Sequence, residues 1–354
     1  MENSWPALRM VHCLGGIRLL NPFGPKVEVS TLSLVGRKVD FRVKDYASLY
    51  KAISSFNLLI IGVDFYEHKS QIEAGGYPSW RPYFYPPYKA WGHEDADRIW
   101  QNISTGAHKA KNGHLWDLAS RISNLLRVCS WRLREISNLY NVQLDSQLER
   151  KDFNLNSGFY NIQTWQCYTA IQSYLIEACI LRDYLSEYAA HFVFSEHLKN
   201  GINISALSGF RKLVLNKSSD DPLFVELKNI TSNDGWLKIL GEYRDLVTHS
   251  TPLATAEKRL AAFQKQMTSQ FGNIPFISCP LPQNPGEISS SRIKRGMFED
   301  FEKLLNITTF LKPNEESMDG LIYCHSSLSN LSDLANKLAA RSPVKPEIRT
   351  LTDK

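Results

Sequence analysis

The sequence predicts a mainly α-helical protein in which a helical bundle follows a small sheet-containing region at the N-terminus. The chain has 354 residues, of which 43% are hydrophobic and 22% are charged, which is enough for one or two packed cores. From residue 114 onward, apolar residues recur at spacings of three and four, the period of an amphipathic helix. Before residue 67, short segments alternate apolar and polar residues, which is the period of a strand.

These patterns divide the chain into four parts. We expect an N-terminal α/β accessory region over 1–66, an aromatic and proline-rich connecting segment over 67–113, a helical bundle over 114–272, and C-terminal helices with a loose tail over 273–354. The formal net charge of +5 permits nucleic acid as a partner but does not by itself indicate one.

In the N-terminal region, the segment 27–34 alternates apolar and polar residues for part of its length, and 39–43 does so throughout. The apolar run in 57–65 has the length of a buried strand. A helix is expected over 45–54, between the second and third of these strands. Together these elements predict a small sheet accompanied by one helix.

The connecting segment contains an unusual stretch at 74–92, in which prolines alternate with aromatic residues. The density of prolines excludes a helix and a central strand. Arg81 and Lys89 lie among the aromatic residues and are candidate RNA contacts, because such a segment could stack unpaired bases. The alternative, which we favour, is a long ordered loop that covers the bundle with buried aromatic side chains.

Two long helices form the centre of the predicted bundle. The first follows the apolar residues of 115–139, and the second covers 160–197. The second segment contains so many apolar residues that we expect it to be buried on most sides. The polar region 200–221 is expected to be a loop with a short helix at most.

Shorter helices complete the predicted bundle. We expect helices over 222–230 and 235–249, separated by a Ser-Asn-Asp-Gly turn. A last helix is expected over 252–271, because apolar residues continue at helical spacing there, and Gly272 would end it. With the two long helices, these segments describe a helical bundle.

Beyond a Pro/Gly/Ser stretch at 275–291, two amphipathic helices are expected over 297–311 and 327–340. Four leucines of the second helix share one face: Leu328, Leu331, Leu334 and Leu338. We expect this face to pack back onto the bundle, and a dimer interface along it is the alternative.

The sequence indicates no metal site, cofactor or membrane segment. The six cysteines are scattered without a Cys-x2-Cys pair, so we expect buried free thiols in a reducing cytoplasm. The acidic residues of 93–97 are expected to begin a helix that runs to Ile103 rather than to bind a metal. No glycine-rich phosphate loop is present. No apolar run approaches the ~18 residues of a membrane span and no signal peptide is recognisable, so a cytoplasmic protein is expected.

The segment with the most chemical information is 243–253, Tyr-Arg-Asp-Leu-Val-Thr-His-Ser-Thr-Pro-Leu, in which Arg244 lies five residues before His249. A guanidinium binds phosphate through a fork of donors, and an imidazole can transfer a proton near neutral pH. On a regular helix Arg244 and His249 lie about 140° apart. Asp245 and His249 share a face, so Asp245 is predicted to accept a hydrogen bond from the imidazole. Pro252 disfavours further helix and places His249 at a helix C-terminus, where its charged form is favoured.

The Arg-x4-His spacing and its flanking residues resemble the motif of HEPN-superfamily ribonucleases, and the helices predicted over 114–272 resemble their bundle. This resemblance covers under half of the chain. It implies a metal-independent endoribonuclease in which the RNA 2′-OH attacks the adjacent phosphate. His249 would move a proton, Arg244 would stabilise the charge of the phosphorane, and Asp245 would orient His249. The resemblance also implies a homodimer that brings two motifs together, and a role as a toxin or effector in antiviral defence.

Four further residues are candidates for support of this site. Asp183 and Glu187 lie four residues apart on the second long helix. We expect these carboxylates to take part in solvated ion pairs or in ion pairs within the bundle. The alternative is that they support Arg244 across the bundle. Tyr243 and Ser250 flank the motif residues and complete the set.

Other functions remain open at this point. HEPN-like bundles also act as non-catalytic modules that bind nucleotides or a protein partner, and Arg244 and His249 would then only bind a phosphate. In a third interpretation, the N-terminal region senses a ligand while the bundle only dimerises. A protein partner that activates or inhibits the chain is compatible with each of these functions.

Overall fold

The computed structural model describes most of the chain, and it is mostly helical with a small antiparallel sheet region. The described residues are 7–22, 28–31, 41–42, 45–55, 58–84, 96–150, 153–198, 203–250, 261–269, 272–282, 285–290 and 318–348. Within these ranges, every helix is too short or too polar to cross a bilayer. The predicted fold class, a mainly α-helical protein with a small sheet, is confirmed.

The N-terminal residues form an antiparallel sheet. Its described strands are β1 (Leu8–Cys13), β2 (Arg18–Asn21), β3 (Glu28–Thr31), β4 (Phe41–Arg42), β5 (Ile60–Tyr66) and β6 (Ser79–Pro82), in the order β4-β3-β2-β1-β5-β6 across the sheet. Helix α1 (Tyr46–Ser55) buries Leu49 and Ile53. The strands predicted in 27–34, 39–43 and 57–65 and the helix predicted in 45–54 are confirmed.

Nine further helices follow in the described residues. They are α2 (Lys69–Glu73), α3 (Ala96–Lys109), α4 (Gly113–Glu149), α5 (Ile162–Tyr188), α6 (Leu207–Leu215), α7 (Pro222–Ile230), α8 (Trp236–Asp245), α9 (Pro285–Ser290) and α10 (Gly320–Ala339). Helices α3, α4, α5 and α10 pack on one another and enclose large aromatic side chains, among them Trp100, Tyr140 and Tyr174. The two long helices of the predicted bundle are confirmed as α4 and α5, and the shorter ones at 222–230 and 235–249 correspond to α7 and α8.

Side chains at the helix starts explain why the two long helices begin where they do. The Asn112 side chain accepts a hydrogen bond from the backbone N–H of Leu115 at 3.1 Å, which begins α4. The Asn161 side chain accepts one from the N–H of Thr164 at 2.8 Å, which begins α5. Such caps satisfy backbone donors that have no partner within the helix.

The sheet packs directly on α4 through the turn between β1 and β2. Gly15 and Gly16 in this turn have positive φ angles, which glycine adopts without strain. A Cβ atom at Gly16 would overlap the backbone carbonyl of Tyr140 on α4, so only glycine permits this close approach. The turn therefore fixes the N-terminal sheet against the longest helix.

The last helix packs onto the bundle. All four leucines of its predicted apolar face are buried: Leu328, Leu331, Leu334 and Leu338. Helix α10 contacts α3, α4 and α5 within the same chain. The packing predicted for this face is therefore confirmed, and the alternative, a dimer interface along the leucines, is wrong. The helix predicted over 297–311 lies outside the described residues.

The helix predicted over 252–271 is wrong for its second half. Residues Ala262–Ser269 form strand β8, which pairs with β9 (Gly272–Ser278) and with the short strand β7 (Gly158–Phe159). Apolar residues at 260, 263 and 267 imitate a helical spacing, but Phe263 and Met267 instead lie opposite residues of β9. Gly272, expected to end a helix, begins β9, and part of the Pro/Gly/Ser stretch at 275–291 belongs to β9 and α9. Residues 251–260 lie outside the described part of the chain.

Candidate functional site

Helix α8 carries the Arg-x4-His motif and ends in a π turn over Leu246–Ser250. Tyr243 and Val247 are buried four residues apart and anchor the inner side of this segment in the core. Arg244 is half-buried, and His249 is exposed. The helical segment runs to Ser250, and the end predicted beside Pro252 lies outside the described residues.

The π turn changes the direction in which His249 points. In a regular helix, Arg244 and His249 would lie about 140° apart. A π turn joins residues five apart by hydrogen bonds, so each successive residue is rotated by a smaller angle than in an α-helix. His249 is thereby brought back towards the side of Arg244, and both residues line one cleft.

This cleft has a volume of about 690 Å³ and lies between the end of α5 and helices α6, α8 and α9. Its charged and titratable lining residues are Arg182, Arg211, Lys212, Lys238, Glu242, Arg244, Asp245 and His249. Within the described lining, five lysine and arginine side chains thus face two carboxylates. Because this excess of positive charge lines a concave surface, the cleft favours anionic ligands such as phosphate groups.

The floor of the cleft is formed by Arg182, which is only 5% exposed. Its Nε and Nη2 atoms donate to Asp183 Oδ1 at 3.1 and 2.9 Å, and its Nη1 atom donates to the Leu237 carbonyl at 3.3 Å. Asp183 Oδ1 also accepts from the N–H of Leu207 at 3.1 Å, at the start of α6. Arg182 is therefore a fixed positive charge with a defined orientation, as pre-organised anion binding requires.

Gly241 on α8 makes room for this guanidinium. A Cβ atom at position 241 would overlap Arg182 Nη1, so any other residue would push the Arg182 side chain away. Glycine inside a helix is unfavourable by about 1 kcal/mol relative to alanine. The residue at 241 thus lowers the stability of α8 and allows Arg182 to reach the cleft.

Of the candidate supporting residues on α5, Asp183 forms an ion pair within the bundle, as favoured from the sequence, and Glu187 accepts a hydrogen bond from a histidine. Asp183 holds Arg182 and not Arg244. Glu187 accepts from His114 Nε2 on α4 at 3.1 Å. Support for Arg244 from Asp183 is therefore indirect, through the position of Arg182, and Glu187 is not among the described lining residues of the cleft.

The structure places Asp245 on Arg244, not on His249. Asp245 Oδ1 lies 3.0 Å from Arg244 Nε, which is an ion pair without hydrogen-bond geometry. The predicted hydrogen bond from His249 to Asp245 is therefore not formed. Among the described residues, the His249 imidazole has no hydrogen-bond partner, so its tautomer is not fixed by a neighbour within them.

The remaining residues around the motif have structural contacts. The Tyr243 hydroxyl donates to the Pro282 carbonyl at 2.8 Å, and its burial raises the pKa of this group. This bond ties α8 to the segment that follows β9. Lys238 and Glu242, which also line the cleft, form an ion pair with each other along α8. The side chain of Ser250 lies outside the described part of the chain.

Several cleft residues could not be assigned from the sequence, because they come from separate helices. Arg211 is held by the Thr231 carbonyl at 2.8 Å and by Asn233 Oδ1 at 2.7 Å. Lys212 is exposed and has no side-chain partner within the described ranges. The sequence feature that could have indicated this site is the adjacent pair of basic residues Arg211 and Lys212, although such a pair usually lies on the solvent-exposed face of a helix.

The candidate RNA contacts of the connecting segment lie elsewhere. Arg81 is on the edge strand β6, where its guanidinium lies over the Phe65 ring at 5.6 Å, and it lines a second, smaller cavity. Tyr83 and Phe84, which follow β6, are buried as the favoured interpretation of this segment expected, but Ser79–Pro82 form a strand and not a loop, and Tyr77 is exposed. Lys89 lies outside the described residues.

The described residues show neither a disulfide bond nor a metal-binding cluster. All six cysteines are free and buried, as expected. Within the described ranges, no three histidine, cysteine, aspartate or glutamate side chains are grouped to bind a metal ion. The site therefore consists of a cationic cleft, a fixed arginine and an exposed histidine.

No family model, curated protein or solved structure matches this chain significantly.

Proposed function

We propose that the protein is a metal-independent endoribonuclease of the HEPN type whose active site is the cationic cleft. The observation that carries this proposal is that Arg244 and His249 line one cleft together with the buried cation Arg182. A phosphodiester entering the cleft would meet several guanidinium groups and one imidazole. This combination can stabilise negative charge and transfer a proton.

In the proposed reaction, the RNA 2′-oxygen attacks the adjacent phosphorus, and the bond from phosphorus to the 5′-oxygen breaks. The 2′-OH loses its proton and the departing 5′-oxygen gains one, and His249 moves a proton in this exchange. Arg244 and Arg182 stabilise the doubly charged phosphorane. Asp245 acts in this scheme by holding Arg244, because its carboxylate lies on that side chain. The products are a 2′,3′-cyclic phosphate and a 5′-hydroxyl.

The proposal includes a homodimer and a biological role. Of the described residues that line the cleft, His249 is the only histidine. Since one proton must be removed and another supplied, a second copy of the chain would complete the site with its own His249. An RNA-cleaving cleft of this kind fits a toxin or effector in antiviral defence, whose activity is controlled by a protein partner.

The proposal is tested with purified protein and single-stranded RNA in excess EDTA. Cleavage is expected to persist without divalent metal and to leave 2′,3′-cyclic phosphate ends, which phosphatase and mass spectrometry identify. Arg244→Ala and His249→Ala should each reduce the rate by orders of magnitude and relieve any growth defect on expression. Exposed Arg150→Ala and His68→Ala are matched controls that should cleave like wild type. Cleavage that requires Mg²⁺ would contradict the proposal.

A second function is favoured by one observation. His249 lacks an orienting carboxylate, because Asp245 is engaged with Arg244. A cleft of about 690 Å³ has the size of a small-molecule site and could bind a nucleotide without cleaving RNA. Calorimetry with nucleotides separates the two functions, since binding that depends on Arg244 without any RNA product would favour the non-catalytic module.

A further inference from the structure

A second cavity lies where the edge strand β6 meets α3, α4 and α10. It has a volume of about 330 Å³. Its lining includes Trp80, Arg81, Arg98, Arg127 and Trp131. Among the described residues, the two cavities share no lining residue.

Two aromatic side chains stand at the surface beside this cavity. Trp131 on α4 is 41% exposed, and Tyr77, which precedes β6, is 78% exposed. Their rings meet edge to face with 6.1 Å between centroids, and the Arg134 guanidinium lies 4.9 Å from the Trp131 centroid. Large aromatic side chains are usually buried, so an exposed pair beside a cavity indicates a surface for a flat ligand.

Trp80 forms a rigid wall of the same cavity. Its indole N–H donates to the Ser130 carbonyl at 2.9 Å, and its ring packs edge-on against His12 at 5.0 Å. A Cβ atom at Gly62 would overlap the Trp80 ring, so glycine at that position allows the indole to lie flat on β5. The wall is thus pre-formed and need not rearrange when a ligand enters.

The charges of the cavity fit a polyanion. Arg98 and Arg127 line it, and Asp97 is the acidic residue among its described lining, whereas the guanidinium of the third lining arginine, Arg81, lies over the Phe65 ring. Arg127 lies 3.4 Å from Asp97 and donates to Gln101 at 3.2 Å, so its guanidinium is held at the rim. Aromatic faces for bases beside arginines for phosphates are the combination with which proteins bind single-stranded nucleic acid.

We propose that this cavity binds an unpaired nucleotide of single-stranded RNA, with the base stacked on the Trp131–Tyr77 pair and the phosphates on the arginines. The assignment to RNA rests on the proposed function, whereas stacking and charge are properties of the cavity. This cavity would bind one part of the RNA, while another part of the same RNA is cut in the cleft. It therefore favours RNA long enough to reach both cavities.

Binding is measured by fluorescence anisotropy with a labelled single strand of 2′-O-methyl ribonucleotides, which cannot be cleaved by 2′-OH attack. Trp131→Ala is expected to weaken binding roughly tenfold, since stacking of one base contributes that much. Trp116→Ala is the matched control, because Trp116 lies on the same helix, is 47% exposed and is not among the cavity's lining residues. Tyr77→Ala is a second variant. Because the Tyr77 side chain is 78% exposed, its loss should not disturb the fold.

An abasic strand of the same length separates stacking from charge. It should bind wild type and Trp131→Ala equally, because the base that stacks is missing. Equal binding of the ordinary strand by wild type, Trp131→Ala and Tyr77→Ala would overturn the proposal, as would the absence of binding by wild type. If binding depends on Trp131 but native RNA is never cut, only the ribonuclease proposal fails.

Discussion

At the scale of single residues, the shape of the cleft depends on the glycine at position 241. Because Gly241 has no Cβ, Arg182 can lie along α8 and form the floor. In Gly241→Ala, the added methyl group should displace the guanidinium and remove its hydrogen bond to the Leu237 carbonyl. We expect RNA cleavage to fall roughly a hundredfold to a thousandfold, the usual effect of losing one stabilising donor.

Gly209→Ala on α6 is the matched control for this substitution. A Cβ atom there would make an ordinary contact of 3.4 Å with Ile204, so the helix should accept alanine and gain up to about 1 kcal/mol. Cleavage rates and thermal midpoints of both variants are compared. If Gly241→Ala cleaves RNA as fast as wild type, Arg182 takes no part in the reaction.

The sequence predicts Arg244 and His249 as site residues because their relation is local. Spacing, a following proline and the apolar pattern are all visible within a few residues. Arg182 could not be predicted as a site residue, because its position depends on Gly241 of a different helix. The pairing of Asp245 could not be predicted either, since Arg244 and His249 compete for the same carboxylate and the π turn decides between them.

At the scale of elements, the π turn over Leu246–Ser250 sets the geometry of the motif. Deleting Thr248 would remove the extra residue and restore α-helical hydrogen bonding, which would leave Arg244 and His249 four residues and about 40° apart on a regular helix. Because both side chains then still face the cleft, we expect the deletion variant to retain more cleavage activity than His249→Ala.

Thr248→Ala separates the geometry of the turn from the loss of the side chain. Thr248 is exposed, and its hydroxyl donates to the Arg244 carbonyl at 2.8 Å. The substitution should leave most of the activity, and circular dichroism should show equal helix content in both variants. A deletion variant as inactive as His249→Ala would contradict this account of how the turn positions His249.

The elements that sequence patterns predict well are those whose pattern is local. Helices α4, α5, α7 and α10 have long apolar periods or clear capping residues. The β8–β9 hairpin was missed because strand pairing joins residues that are not neighbours, while its apolar spacing imitates a helix. Strand β1 was missed because Arg9 and His12 interrupt its apolar pattern, yet both are buried.

At the scale of the whole molecule, a buried polar network joins the sheet to the bundle. His12 Nε2 lies 3.2 Å from Asp64 Oδ2, and Ser137 Oγ lies 3.1 Å from His12 Nδ1. Arg134 on α4 donates to both Asp64 oxygens, at 2.7 and 2.8 Å. Burial lowers the pKa of His12 to about 4, so the imidazole is neutral at pH 7 and donates its Nε2 proton to Asp64.

This network predicts that the fold loses stability in acid. Burial also lowers the pKa of His325 to about 4. Both histidines are protonated in the unfolded chain below about pH 6.5 but stay neutral in the folded chain down to about pH 4. The unfolded state therefore binds more protons in this window. The free energy of unfolding should fall by about 3 kcal/mol per histidine as the pH drops through it, since one pKa unit is about 1.4 kcal/mol.

Asp64 acts in the same direction at lower pH. Its burial alone would raise its pKa, but the hydrogen bonds from His12 and Arg134 outweigh burial and lower it. Urea denaturation at several pH values measures the effect. His12→Gln should remove about half of the dependence between pH 6.5 and 4, because His325 still contributes, while His68→Gln at the surface should leave the dependence unchanged. A free energy of unfolding that stays constant across this window would contradict the prediction.

The last prediction concerns assembly. A single cleft offers one described histidine, whereas cleavage of a phosphodiester needs one group to remove the 2′-OH proton and one to protonate the 5′-oxygen. If a second copy supplies the other group, light scattering should give the mass of a dimer, about twice 40.4 kDa. The specific activity should then fall when the protein is diluted below the dissociation constant of the dimer. The control His68→Ala should show the same fall in specific activity as wild type. A monomer that retains its full specific activity at every concentration would mean that one chain contains the whole site.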